Sequence, residues 1–195
     1  MDSFLRKFRD RLRIIIILYV FCEQFESAND RNEKFYVLFR SEIKIQALDF
    51  LLRYPDFLSM ELMNLMDDDT NIDRNDIRNV ITKIYSDNEP DLRVEEMEKF
   101  FHGAYESIDE VIAFHVSIGF LKHESKKRTD GKTYDKNYYV TFDCANRIES
   151  SLKLIPAVQW YFERCELIKK YFDKFTGSQL KSRQYMYSEY SNINL

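Results

Sequence analysis

The chain has 195 residues, of which 45% are apolar and 15% aromatic. This composition provides a packed core and excludes a disordered protein. The net charge of −4 excludes a protein whose whole surface is built for nucleic acid. The three cysteines and three histidines lie far apart and share no metal-ligand spacing, so the sequence indicates neither a disulfide framework nor a bound metal or cofactor.

The N-terminus combines a basic segment, "RKFRDRLR", with an apolar run at Ile14–Cys22. Nine residues are too few to span a bilayer, which takes roughly 20, and no small-residue cleavage site follows. The pattern therefore predicts a long helix of a cytoplasmic protein with no membrane contact. A helix that is apolar on all sides needs cover from a core or a partner. The following residues are therefore a candidate partner interface: Ile14, Ile15, Ile17 and Leu18.

Four further helices are predicted between residues 41 and 106. Ser41 is expected to cap the first, and Pro55 to end it. Asp56 or Ser59 would cap the second, and Asp73 the third. The fourth carries Met97, Phe100, Phe101 and Ala104.

The middle of the chain is strongly acidic. Residues 56–110 contain five Lys and Arg against sixteen Asp and Glu. Such a surface repels phosphate and attracts a basic partner. The acidic candidates for a partner interface are Asp67, Asp68, Asp69 and Asp109. A face that is merely solvated is the alternative.

A further helix, at 108–118, has a predicted capping box at Ser107 and Glu110 and a glycine stop at Gly119. Ile108, Val111, Ile112 and Ile118 are expected to face the core. The remaining face contains none of the Arg, Lys, Asn or Gln side chains that usually read base edges.

A β-hairpin is predicted over Phe120–Phe142, because two β-favouring runs flank the turn signal at Asp130 and Gly131. Its basic residues are candidates for contact with a nucleic-acid backbone, unless the tip is only a solvated loop. They are Lys126, Lys127, Arg128, Lys132 and Lys136.

After the hairpin, Asp143 is expected to cap a helix, and a long amphipathic helix follows Pro156 until Gly177. The predicted fold is mainly α, a winged-helix-like domain with one β-hairpin as its wing and helical extensions at both ends. The divisions are an N-terminal arm at 1–40, the winged-helix-like domain at 41–155, and a C-terminal helix with a polar tail at 156–195.

The run "LDFLLRYPDFLSMEL" at Leu48–Leu62 resembles the middle components of ABC-three-component systems, including the small subunit of Lamassu-type antiphage defence. The resemblance implies a non-catalytic adaptor that sits with an ATPase resembling structural-maintenance-of-chromosomes (SMC) proteins and with an effector, often a nuclease. The adaptor would help to hold the effector inactive.

Two other classes stay open. A winged-helix transcription regulator is favoured by the basic hairpin tip and disfavoured by the acidic start of the preceding helix. An enzyme has less support, because no triad, dyad or metal set has a readable spacing. No small-molecule substrate is indicated.

Overall fold

The computed structural model describes residues 3–24, 35–69, 71–92, 107–127, 129 and 134–184. Across these residues the chain is mainly helical with a small antiparallel sheet, which confirms the expected class. The helices are α1 (Ser3–Val20), α2 (Glu42–Arg53), α3 (Pro55–Asp68), α4 (Arg74–Ser86), α5 (Glu89–Leu92), α6 (Asp109–Ser117), α7 (Phe142–Ser150), α8 (Pro156–Phe172) and α9 (Gly177–Gln184), with a 3₁₀ turn at Leu152–Leu154. The strands are β1 (Glu23–Gln24), β2 (Phe35–Arg40), β3 (Leu121–Lys127) and β4 (Tyr134–Thr141).

The hairpin lies where the sequence predicted it, as β3 paired with β4, and Leu121 stands opposite Val140. It does not stand alone. Strand β2 pairs antiparallel with the other edge of β4, and the two-residue β1 adds to β2. The prediction of a single hairpin was therefore wrong. The partner strand β4 lies far along the chain from β2, so no local turn signal indicates that the two strands pair.

Helix α1 lies inside the fold, packed against α2, α6 and α8. One connected core cluster contains buried residues from all three predicted segments, for example Ile16, Leu58 and Phe172. The N-terminal helix is therefore a central element of the core, and the expectation of an N-terminal extension was wrong. Its apolar circumference is covered because neighbouring helices contact it from several sides.

Several predicted helix ends are confirmed. The Ser41 hydroxyl accepts a hydrogen bond from the Lys44 N–H, and the Asp73 carboxylate accepts from the N–H groups of Asn75 and Asp76. Helix α2 ends just before Pro55, which is the first residue of α3.

Other predicted ends were wrong. No side chain caps α3, so neither Asp56 nor Ser59 has that role. The hydroxyl of Thr141, and not Asp143, accepts from the Cys144 N–H at the start of α7. The predicted helix around Met97–Ala104 lies outside the described residues.

Two glycines have identifiable geometric roles. Gly119 ends α6 with a φ of +76°, the left-handed conformation that glycine adopts at little cost. Gly177 brings α9 against the start of α2, and a Cβ there would lie 2.5 Å from the Lys44 backbone nitrogen. The C-terminal helix therefore docks by a close backbone approach rather than by side chains alone.

Candidate interaction surfaces

Helix α6 turns one face inward and one outward. Ile112 and His115 are buried on the inward face, together with Ile108 just before the helix. The outward face is acidic at its start and small or apolar further on, and it consists of Asp109, Glu110, Ala113, Val116 and Ser117. Ile118 was expected in the core, but it is exposed because it follows the last helical turn.

His115 joins α6 to α1, which the sequence did not indicate. Its Nε2–H donates to the Arg11 carbonyl at 3.0 Å, so Nδ1 is the unprotonated nitrogen. Nδ1 is buried and has no hydrogen-bond partner among the described residues. Burial lowers the pKa of His115, and the hydrogen bond to Arg11 only partly opposes that shift. The residue is a neutral core group and not a surface ligand.

The predicted capping box at Ser107 and Glu110 does not form. The Ser107 hydroxyl accepts a long hydrogen bond from the Asp109 N–H and contacts the Asp109 carboxylate, while Ile108 occupies the N-cap position. The carboxylates of Asp109 and Glu110 therefore stay outside, with 74% and 88% of their side-chain surface exposed. Two exposed carboxylates at a helix start repel a phosphate backbone.

Lys136 does not belong to the hairpin tip. Its ammonium bonds to Glu42 at the start of α2 and lies 3.6 Å from the Asp109 carboxylate. Burial alone would lower the pKa of Lys136, but the carboxylates of Glu42 and Asp109 together outweigh it and the pKa is raised. The lysine ties β4 to two helix starts, so the prediction of a nucleic-acid contact there was wrong.

The remaining basic candidates of the hairpin divide into two groups. Lys126 and Lys127 are exposed at the end of β3, where they are accessible to a partner. Arg128 and Lys132 lie outside the residues whose placement is described.

The acidic middle of the chain contacts the chain's own basic C-terminus. Asp68 binds Arg183 at 2.8 Å, and Asp69 lies 3.3 Å from Lys174. The pKa of Asp69 is lowered, first by the hydrogen bond from the Asn71 N–H and then by Lys174. Arg183 of α9 and Lys174, which follows α8, therefore supply cations to these two carboxylates within the chain, while the side chain of Asp68 remains 60% exposed. Their contact with a partner protein stays a prediction. Asp67 is exposed.

The apolar candidates on α1 are also not a surface. Ile14, Ile15, Ile17 and Leu18 are all buried within the chain. The prediction of a partner interface at these four residues was wrong, because α2, α6 and α8 provide the cover that sequence reasoning assigned to another protein.

The Leu48–Leu62 motif has a structural role that the sequence did not reveal. Asp49 is buried on α2 and accepts from Arg13 Nε at 2.9 Å, and its other oxygen lies 2.9 Å from Arg53 Nε. Burial raises the pKa of Asp49, but the two guanidinium groups outweigh it and hold the pKa below its usual range. Asp49 and Arg53 are one helical turn apart, and the residues around Asp49 from Ala47 to Leu52 are otherwise apolar. That spacing was the available signal.

A cavity of about 290 Å³ lies between α4 and α8. Its walls include Val80, Ile84 and Leu167, and Glu89 binds Arg164 Nη2 at 2.6 Å at its edge. The Trp160 indole N–H donates to the same carboxylate at 3.3 Å. The lining contains no Cys, Ser or His, and its charged residues are Lys83, Asp87, Glu89, Glu163 and Arg164.

The three cysteines are free thiols. Burial raises the pKa of Cys22 to about 11 and that of Cys144 to about 12, and it also raises the pKa of Cys165. Thiols with raised pKa values are poor nucleophiles at neutral pH. In the described part of the chain, no three His, Cys, Asp or Glu side chains are grouped to hold a metal ion.

Comparisons with protein-family models, with curated proteins and with solved structures found no match to this chain. Within the described ranges, every helix is too short or too polar to cross a bilayer.

Proposed function

We propose that the chain is a non-catalytic adaptor subunit of a bacterial antiviral defence complex in the cytoplasm. It bridges an SMC-like ATPase and an effector, which is a nuclease in the simplest case, and helps to hold that effector inactive. The sequence run at Leu48–Leu62 supports this proposal through its resemblance to ABC-three-component middle components.

The outward face of α6 is the observation that carries the proposal. We read α2, α3, α4, α6 and the β3–β4 hairpin as a winged-helix-like unit, with β2 completing the sheet beside β4. In such a unit, the helix before the hairpin is the one presented to the ligand. Here that helix starts with two exposed carboxylates and continues with Ala113 and Val116. A mixed acidic and apolar face fits a protein better than DNA.

The buried Asp49 supports the same reading of the motif. Its contacts with Arg13 and Arg53 make the run that carries the resemblance a fold-forming element. The charged residues of this motif hold helices together. That structural role is compatible with a bridging subunit that has no cofactor and no small-molecule substrate.

The decisive experiment is co-expression with the ATPase and effector encoded beside its gene. Size-exclusion chromatography with light scattering should give a complex whose mass includes this chain. Effector activity in the complex should be lower than that of the effector purified without the adaptor. A wild-type chain that always elutes alone contradicts the proposal.

A winged-helix transcription regulator is the alternative, favoured by the exposed Lys126 and Lys127. It predicts sequence-specific binding to duplex DNA at physiological salt with a nanomolar Kd. The adaptor proposal predicts only a weak, non-specific contact with DNA, since lysines that touch phosphate supply no sequence information.

The double variant Lys126→Glu, Lys127→Glu tests that contact. It should weaken non-specific DNA binding by the assembled complex and reduce its dependence on salt concentration. Lys83→Glu, at an exposed lysine on α4, is the matched control. Unchanged DNA binding in the double variant would leave these lysines as solvated residues.

A further inference from the structure

Strand β3 forms one edge of the sheet. In the part of the chain that the structure describes, the strand order is β1-β2-β4-β3, so β3 pairs with β4 alone. The opposite edge is the two-residue β1, whereas β3 has seven residues. An unpaired edge of this length presents a row of backbone groups to which another chain can add a strand.

The pairing register shows which residues of β3 form that row. The Thr141 N–H donates to the Phe120 carbonyl at 3.0 Å, so this carbonyl points towards β4. Backbone direction alternates along an antiparallel strand, and the ladder continues with Lys122 opposite Tyr139. The N–H and C=O groups of the intervening residues therefore point away from β4. Three of these intervening residues are exposed, and they are His123, Ser125 and Lys127.

The chemistry of this row matches a peptide backbone. The row alternates donors with acceptors, whereas the phosphates of duplex DNA offer acceptors only and leave the outward carbonyls of His123 and Ser125 without a donor. An extended peptide carries both groups at the same spacing. The edge therefore suits a peptide better than duplex DNA.

The side chains of β3 indicate the charge of that peptide. The strand contains three lysines and one glutamate in its sequence LKHESKK. Lys122 already binds Glu124 at 2.6 Å, so the positive charges that an added strand meets are those of the exposed Lys126 and Lys127. Successive side chains of a strand point to opposite faces, so one lysine lies on each side of the edge. Acidic residues at neighbouring positions of an added strand complement both.

We propose that the outer edge of β3 binds an extended acidic segment of a partner protein, which joins the sheet as a further strand. A second copy of β3 is the less favourable occupant, because two copies bring an excess of lysine together. The inference does not rest on the proposed adaptor function. A second copy, and DNA at Lys126 and Lys127, are competing outcomes of the tests below.

The first test measures binding of a fluorescent probe peptide, TVEETVT, to the pure full-length chain by anisotropy. Its two adjacent glutamates place one carboxylate on each face, and its Kd should lie in the micromolar range. TVQQTVT lacks the charges and should bind about threefold to tenfold more weakly. TVEETVT methylated on its five central backbone nitrogens lacks the donors and should bind at least about tenfold more weakly.

The second test blocks the edge itself. Because the Ser125 N–H points outward, Ser125→Pro removes a donor from the edge but no hydrogen bond from the β3–β4 ladder. Binding of TVEETVT should weaken at least about tenfold, since the proline ring also obstructs the approaching strand. Ser125→Ala keeps the N–H, so it is the matched control and should bind like the wild type. Both variants should retain the wild-type cooperative transition in thermal denaturation.

A charge exchange gives a readout that does not require β3 to tolerate proline. The double variant Lys126→Glu, Lys127→Glu retains every backbone group of the edge. Its preference should change from TVEETVT to TVKKTVT, because the opposite charges are then restored by the basic peptide.

Amide hydrogen exchange followed by NMR locates the contact. Saturating TVEETVT should slow exchange of the outward N–H groups of His123, Ser125 and Lys127, which gain acceptors. The N–H groups of Lys122 and Glu124 already belong to the ladder with β4 and should change much less. Protection at alternate residues distinguishes an added strand from a contact made by side chains.

Four outcomes would overturn the inference. Absence of TVEETVT binding up to about 1 mM leaves the edge without a peptide partner, and duplex DNA that binds in its place assigns the two lysines to nucleic acid. Equal binding of the methylated peptide reduces the contact to charge attraction. Equal binding by Ser125→Pro places the contact elsewhere. Protection of the outward amides that rises with protein concentration, without peptide, assigns the edge to a second copy.

Discussion

At the scale of single residues, the charged groups inside the fold join elements that are distant in the chain. Asp49 on α2 binds Arg13 of α1, and Glu89 on α5 binds Arg164 of α8. Burying a charge is costly unless it is paired, so these contacts specify which helices pack together more than they add stability.

Asp49 gives the clearest test at this scale. Asp49→Asn leaves the buried guanidinium groups of Arg13 and Arg53 without their shared countercharge. We expect the free energy of unfolding to fall by about 3–5 kcal/mol, the usual cost of breaking a buried ion pair from one side. Urea denaturation followed by circular dichroism measures it. The control is Asp143→Asn, whose exposed pair with Arg147 should contribute below about 1 kcal/mol.

His115 predicts a dependence of stability on pH. Because burial lowers its pKa below the usual value of about 6.5, the unfolded chain binds that proton more readily than the folded chain. The free energy of unfolding should therefore decrease as the pH falls from about 7.5 through 6.5 towards the folded-state pKa.

The variant His115→Gln, which keeps an N–H donor for the Arg11 carbonyl, should show a shallower decrease over that interval in urea denaturation. His123→Gln, at an exposed residue of β3, is the control for replacing a histidine elsewhere in the chain. Identical slopes in His115→Gln and wild type would show that His115 does not titrate differently in the two states.

At the scale of elements, α1 is the helix on which the others are assembled. It contacts α2, α6 and α8, and it contributes a row of buried isoleucines to the core. The stability of such a helix comes from the packing of its apolar surface against neighbours more than from its own propensity.

Deleting residues 1–20 should therefore abolish cooperative folding. The truncated chain loses the Ile14–Leu18 side chains and leaves Asp49 and Arg53 without Arg13. Thermal denaturation monitored at 222 nm should show no sigmoidal transition. Deleting residues 185–195, beyond the end of α9, is the comparison and should preserve the transition. A cooperative transition in the shorter chain would show that α1 is dispensable for the core.

At the scale of the whole molecule, acidic residues from the middle of the chain form ion pairs with basic residues near its C-terminal end. The acidic helices α3 and α4 face the basic helices α8 and α9, with Arg183 between Glu61 and Asp68 and with Lys170 on Asp76. Most of these pairs are exposed, but Glu61 is buried, so its contact with Arg183 at 2.6 Å is the one with the largest energetic consequence.

Arg183→Ala should lower the free energy of unfolding by about 2–3 kcal/mol, because the buried Glu61 carboxylate loses its contact with the Arg183 guanidinium. Lys174→Ala, which removes the exposed partner of Asp69, should cost below about 1 kcal/mol. Chemical denaturation of both variants in one buffer provides the comparison. Equal losses would mean that burial of Glu61 does not matter to the docking of α9.

The sequence by itself determined the local structure of this protein. The mainly helical class, the caps at Ser41 and Asp73 and the β3–β4 hairpin follow from side-chain spacing and turn residues, which act over a few positions. The glycine stop at Gly119 belongs to the same group. The absence of base-reading side chains on α6 is also a property of the sequence alone.

Only the tertiary structure decided which surfaces are covered. The isoleucines of α1 have the same spacing in the sequence whether a core or a partner buries them. In the folded chain, contacts with distant helices bury them in the protein's own core. Strand β2 and the cations on Asp68 and Asp69 come from distant parts of the chain. Contacts at such separations leave no periodic signal in a single sequence, because they depend on how the finished elements pack.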